Sequence, residues 1–146
     1  MTRILLVEDD YHMAERIKKE FDRKGWEYDR ANKVVTAQEF FKKNSYDCII
    51  IDLMIDPLGL TLDEVDEYHP FFGWAWLRNY LLPQKEQTLI DKKTIIFSQF
   101  ATGLRKSKWK KELKDLIILS KADDVYLKKL IEKIEEVINS NKTLNI

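Results

Sequence analysis

The stretch Tyr46-Asp47-Cys48-Ile49-Ile50-Ile51-Asp52-Leu53-Met54 decides the architecture of this 146-residue chain. Residues 48 to 53 read as a strand. Their unbroken apolar character, in place of alternation, predicts burial on both faces within a sheet covered by helices on either side. Asp52 interrupts the run at its end. Other apolar runs end in the same manner: Arg3 to Val7 before Glu8-Asp9-Asp10, Thr94 to Phe97 before Ser98, and residues 116 to 120 before Lys121. Open α/β sheets place their sites outside the carboxyl ends of the strands, where neighbouring connections part to opposite faces. If these runs are parallel strands, the acids, the hydroxyl and the lysine share one pocket.

Outward from that stretch, strand and helix patterns alternate. Residues 11 to 24 put Met13, Ile17 and Phe21 at steps of four, which predicts an amphipathic helix that Gly25 stops. A strand follows near residues 27 to 31. Thr36 with Glu39 reads as a capping box, with Ala37, Phe40 and Phe41 as the apolar side of the helix behind it. Residues 54 to 72 are polar, contain Pro and Gly, and are too long for a strand-to-helix connection, so they read as an insertion. A helix over residues 73 to 82 faces inward through Trp74, Leu77 and Leu81, and Pro83 is expected to end it. After the strand at 94 to 98, Leu104, Trp109 and Leu113 sit loosely at helical spacing. Asp123 or Asp124 is expected to cap a last helix that buries Leu127, Leu130, Ile131, Ile134, Val137 and Ile138. The reading is one α/β domain over residues 1 to 139 with a doubly wound, parallel five-stranded sheet, followed by a polar tail at 140 to 146 with no helical signal.

Lysine plus arginine equals aspartate plus glutamate at 25 each, so whole-molecule charge gives no reason to expect direct nucleic-acid binding. Arg105, Lys106, Lys108, Lys110 and Lys111 cluster around Trp109, and a solvated surface is the preferred reading of them. Cys48 lies inside an apolar run and reads as a buried core residue, which fits a reducing compartment. No stretch is long and apolar enough for a signal-peptide core or a membrane span. The expectation is a soluble, cytoplasmic protein without membrane contact.

Carboxylates at a strand end repel a bare phosphate, and a divalent cation reverses that sign. Magnesium prefers a few carboxylates with retained waters and phosphate oxygens, so Glu8, Asp9 and Asp52 form a reasonable incomplete shell for Mg2+ or Mn2+. Asp52 could then attack phosphorus, while Lys121 and Ser98 stabilise the oxygens of a loose transition state.

With those residues placed, the chain resembles the response-regulator receiver domains of two-component signalling over nearly its whole length. Arg-Ile-Leu-Leu-Val-Glu-Asp-Asp at 3 to 10 is similar to that family's first strand and acidic cluster, and residues 46 to 54 to its phosphoacceptor strand. The resemblance implies a flavodoxin-like (βα)5 fold. It makes Asp52 the phosphoacceptor, Glu8 and Asp9 the acidic pair, and Met54 the donor of a backbone carbonyl to the metal. Ser98 becomes the switch hydroxyl and Lys121 the phosphate-pairing lysine. It further implies a histidine kinase or phosphotransfer protein as donor, a downstream protein target and, as an open matter, a homodimer. The chain departs from the family's pattern in the long segment after Asp52, with Gly73 in the place of the family's nearby glycine, and in Gln99, Ile118 and Ala122.

Those departures motivate an alternative: a pseudo-receiver that binds a partner through the insertion without phosphorylation. Tyr68, His69, Phe71, Phe72, Trp74 and Trp76 crowd the insertion's end; pinning the loop to the domain is preferred over a binding surface for them. A phosphohydrolase or flavoprotein is a weaker third reading, because the acidic first loop lacks the glycines of a phosphate cradle. Beyond transfer to and from its own aspartate, no enzyme activity is expected.

Overall fold

The computed structural model describes residues 1–144. Five parallel strands form one sheet in the order β2-β1-β3-β4-β5: β1 Arg3–Val7, β2 Glu27–Ala31, β3 Cys48–Ile51, β4 Thr94–Ser98 and β5 Ile117–Ser120. Register pairs Val7 with both Ala31 and Ile51, and Ile51 with Ile96. The strands therefore end nearly level. This is the doubly wound, flavodoxin-like arrangement, and its switch point lies between β1 and β3.

Alternation along each strand separates two cores. Ile4, Leu6, Cys48, Ile50, Ile95 and Phe97 face α1 (Tyr11–Lys24) and α8 (Tyr126–Leu144), meeting Ile17, Phe21, Leu130 and Ile134. Leu5, Val7, Ile49, Ile51 and Ile96 face α2 (Val34–Lys43), α4 (Phe72–Trp76) and α7 (Ala101–Arg105). Burial on both faces explains the unbroken apolar run of β3. Cys48 is free and fully buried, as its context predicts.

Local signals account for the first helix. Asp10 accepts hydrogen bonds from the His12 and Met13 amides at 3.0 and 3.2 Å, and Gly25 closes the helix at φ 71°.

The start of α2 does not follow the expected capping box. The helix begins at Val34, with Thr36 and Glu39 already inside it and no side-chain cap. The insertion supplies the cap: the Val34 amide donates to the Asp56 carbonyl at 3.0 Å and the Val35 amide to the Leu58 carbonyl at 2.8 Å. Main-chain acceptors thus satisfy donors that a side chain would otherwise serve. Gly59, at φ +115°, lets the loop lie so close, since an added Cβ would stand 2.9 Å from the Val35 nitrogen. Gly59→Ala is expected to cost about 1–3 kcal/mol in urea unfolding, from backbone strain and the lost approach.

The insertion is also more ordered than its polarity suggests. Thr61 and Glu64 make a reciprocal capping box, Glu64 N to Thr61 Oγ1 at 3.1 Å and Thr61 N to Glu64 Oε1 at 2.9 Å, which opens α3 (Leu62–Tyr68). Tyr68 is buried and stacks on Trp109 with ring centroids 4.8 Å apart, while Phe71 meets Trp109 edge-on. Trp74 and Trp76 are fully buried. The aromatics therefore pin the insertion to the domain, the preferred reading.

Three further expectations are corrected. Pro83 does not end α4: the helix widens into a π-turn at Leu77–Leu81 and narrows into a 3-10 turn at Leu82–Gln84, whose first turn accommodates a residue without an N–H. It then runs on into α5 (Lys85–Thr88), and a left-handed Leu89 at φ 55° turns the chain into the separate short α6 (Ile90–Lys93). Leu104, Trp109 and Leu113 are buried as expected, but α7 stops at Arg105 and the rest is a chain of turns anchored by Trp109. The supposed tail from 140 is helical to Leu144, with Asn141 buried and its amide donating to the Lys92 carbonyl at 3.3 Å. The remainder of that tail call, residues 145 and 146, lies outside the described residues. Among the described residues no helix is long and apolar enough to cross a membrane.

Candidate functional site

The end of β1 carries Glu8 into the interior. Its amide donates to the Ala31 carbonyl at 2.9 Å, and its own carbonyl accepts from Arg30 Nε at 3.0 Å, so β2 holds it from two directions. Glu8 is only 1% exposed. Asp9 is exposed beside it, and Asp10 is committed to capping α1. One strand over, the Asp52 amide donates to the Val7 carbonyl at 2.9 Å, which locks the aspartate against the end of β1. Carboxylate oxygens of Glu8, Asp9 and Asp52 lie within 4.8 Å of one another.

From β5, Lys121 enters this acidic group. Its amide donates to the Ser98 carbonyl at 3.1 Å, and its side chain is 5% exposed. The ammonium donates to Asp52 Oδ2 at 3.1 Å and bonds closely to Glu8 Oε1. The register thus brings Glu8, Asp9, Asp52 and Lys121 together as expected.

Ser98 is fully buried at the same sheet edge, two residues past Ile96, the partner of Ile51. Its hydroxyl oxygen accepts from the Phe100 amide at 3.1 Å, and among the described residues it bonds neither Asp52 nor Lys121. Met54 is exposed at the mouth, and its amide donates to Asp52 Oδ1 at 3.4 Å.

Burial raises the Glu8 carboxyl to about 8; the Asp52 charge adds to this and Lys121 offsets part of it. Asp9 is raised too, first by desolvation and then by Asp52. For Lys121, desolvation works to lower the ammonium, but the charges of Asp52 and Glu8 outweigh it and hold its pKa above the usual lysine value. The pocket is an acidic cluster with one internal cation and a deficit of positive charge. Its donors are hard oxygens, the kind that Mg2+ or Mn2+ takes.

Two supporting residues complete the site. Gly73, at the start of α4, donates its amide to the Leu53 carbonyl at 3.0 Å, and a Cβ there would lie 2.1 Å from the Asp52 carbonyl oxygen. The long insertion therefore returns to Asp52 and seats a glycine directly against its main chain. Arg30, which fixes the Glu8 carbonyl, has no mark in the sequence that separates it from an ordinary strand arginine.

No family model and no curated protein sequence matches the chain. Solved structures do match, over nearly its whole length. The receiver domain of a Francisella response regulator aligns at 22% identity and TM-score 0.66, covering 97% of this chain and 99% of that one. A response regulator receiver domain protein from Clostridium thermocellum aligns at 21% identity and TM-score 0.69, covering 99% of each chain. A Thermotoga maritima response regulator, solved in complex with Mg(2+)-BeF, aligns at 19% identity and TM-score 0.65, covering 94% and 99%. The fold is that of CheY-like response-regulator receiver domains.

Proposed function

We propose that this chain is a phosphoacceptor receiver that takes a phosphoryl group onto Asp52 from a histidine kinase or phosphotransfer protein, with Mg2+ or Mn2+ required. The observation that carries the reading is the meeting of the Glu8, Asp9 and Asp52 carboxylates within 4.8 Å with the Lys121 ammonium 3.1 Å from Asp52. The magnesium-bearing complex of a neighbour with the same fold supports the choice of metal.

In this reading Glu8, Asp9 and Asp52 hold the ion with the main-chain carbonyl of Met54. The ion supplies positive charge against the phosphoryl oxygens and lets the carboxylates stay ionised. An Asp52 oxygen attacks phosphorus in line with the donor's P–N bond; that bond breaks, and its electron pair returns to the donor imidazole, which takes up a proton. The product is an acyl phosphate on Asp52. Lys121, already on Asp52 Oδ2, neutralises charge on the transferred group. Ser98 serves once its hydroxyl leaves the Phe100 amide. The chemistry is confined to the chain's own aspartate, and the output is a phosphorylation-sensitive surface read by a protein target. The cytoplasm is the compartment we assign.

Labelling with acetyl phosphate tests this. Wild type is expected to take up one phosphoryl group per chain in magnesium and none with the metal chelated, and Asp52→Asn is expected to take up none. Equal labelling of the variant and wild type would remove Asp52 from the role.

A further inference from the structure

A cleft of about 650 Å3 opens at the end of the sheet opposite Asp52. One wall is the C-terminal half of α2 with the turn after it, residues 38–46; the other is segment 84–93, and Ile49 of β3 forms part of the floor. Its size falls within the range of small-molecule sites, about 300–1,000 Å3.

Its wall chemistry is one-sided. Lys42, Lys43 and Lys93 line it, and no aspartate or glutamate does, although acids and bases are equal over the whole chain. Among the described residues none of these lysines has an ion-pair partner, and the three face one cleft whose lining holds no carboxylate to answer them. Lys42 and Lys43 stand in the last turn of α2, where lysine commonly answers the negative end of the helix dipole. That dipole amounts to about half a charge, so it leaves most of the lysine charge uncompensated.

Neutral donors stand among the lysines. Gln38 Oε1 accepts from Trp76 Nε1 at 2.7 Å, which fixes the amide and leaves its NH2 free to donate. Ser45 and Gln87 also line the cleft and have no partner among the described residues. Phe41 adds an apolar surface, held edge-on by Trp76.

We infer that this cleft is a binding site for a small molecule with at least two negative charges, phosphate or carboxylate, whose apolar or flat part lies against Phe41. Two anionic groups match the two facing walls, one bearing Lys42 and Lys43 and the other Lys93, because a single charge would leave one wall's ammonium unanswered. The neutral donors recognise the remaining polar atoms. The site sits at the base of β3, the strand whose other end leads to Asp52. It is independent of whether Asp52 accepts a phosphoryl group.

The test is titration of the 15N-labelled protein with ATP, pyrophosphate and citrate, without magnesium and at constant ionic strength. Saturable amide shifts are expected at residues 38–49 and 84–93. The triple variant Lys42→Ala, Lys43→Ala, Lys93→Ala is expected to weaken binding about tenfold or more. The control triple Lys106→Ala, Lys110→Ala, Lys111→Ala removes the same charge from the exposed turn after α7 and is expected to leave binding unchanged. Equal affinity for ATP and pyrophosphate would make phosphate the determinant, tighter ATP would add the flat body, and citrate alone would make carboxylate the ligand; each supports the site. Absence of saturable shifts with all of these probes at millimolar concentration overturns it. So does equal weakening by both triple variants, which would mean bulk charge attraction only.

Discussion

Gly73→Ala is expected to lower the stability of this protein by about 3 kcal/mol, even though alanine is the better helix former by about 1 kcal/mol. The added Cβ would stand 2.1 Å from the Asp52 carbonyl oxygen and 2.7 Å from Ile51 Cγ2. Neither neighbour is a flexible side-chain end: one is main chain locked to Val7, the other part of the core of β3. Either α4 lifts off the sheet or the end of β3 shifts. At roughly 3 °C per kcal/mol for a chain of this size, thermal unfolding should fall by about 10 °C. Acetyl phosphate labelling of the folded variant should slow by about 100-fold, because a misplacement of about 1 Å is enough to lose in-line geometry. Gly103→Ala is the control: it also lies in a helix, but its nearest neighbour would be Phe71 Cζ at 3.7 Å, so stability should hold or rise slightly. Equal losses at the two positions would show that the contact with Asp52 is not what matters.

Lys121→Met is expected to be the other large change, about 3–5 kcal/mol at pH 8 in buffer without divalent cations. It leaves Glu8, 1% exposed, and Asp52, 7% exposed, as buried neighbours with no ammonium between them. The pH dependence has a definite sign. The Glu8 carboxyl stands near 8 in the folded protein against about 4.5 in the unfolded chain, so the folded state binds its proton more tightly. Stability is then lost as pH rises from about 4.5 through about 8, already in the wild type. Removing Lys121, which lowers the Glu8 value, carries that loss on above pH 8. The gap between variant and wild type should be nearly constant from about pH 5 to about pH 7, where Glu8 is protonated in both, and widen as pH rises through about 8 and beyond in urea denaturation series. Millimolar magnesium should recover much of it at the high end. A gap that stays constant from pH 5 to above pH 8 would mean that the ammonium's lost contacts with Asp52 and the Phe97 ring, and not the ionisation of Glu8, set the effect.

Most of the sheet was legible because β1, β3, β4 and β5 are short, apolar and followed or ended by a polar group, so the sequence alone implies their convergence; β2, with Glu27, Asp29 and Arg30, carries no such mark. Glu8, Asp52 and Lys121 follow from that geometry once the strands are parallel. What escaped reading depends on contacts between distant segments. The Thr36/Glu39 pair looks like a cap, yet α2 takes its acceptors from Asp56 and Leu58, more than twenty residues away. The true capping box, Thr61 with Glu64, is inconspicuous in the sequence because it sits in a polar stretch without an apolar run behind it. Pro83 reads as a stop only for a helix of a single period, and this one changes pitch around it. The Ser98 hydroxyl could be located but not aimed, since its Phe100 partner is a local backbone choice. Helix α8 outruns its apolar pattern because Asn141 docks on the Lys92 carbonyl, a tertiary hydrogen bond that no periodicity announces.

The stack of Tyr68 on Trp109 joins two connections that follow different strands, and Arg78 draws the junction tighter by bonding both the Tyr68 hydroxyl and Glu112. The stretch that leaves Asp52 is thus fastened at the front of α2 and again beneath the turns before β5. It behaves as a strut, not a flap. A shift of main chain at residues 53 to 55 has no slack in which to dissipate, and must be taken up at the far anchorages, so the surface there is the natural place for a charge change at Asp52 to be felt.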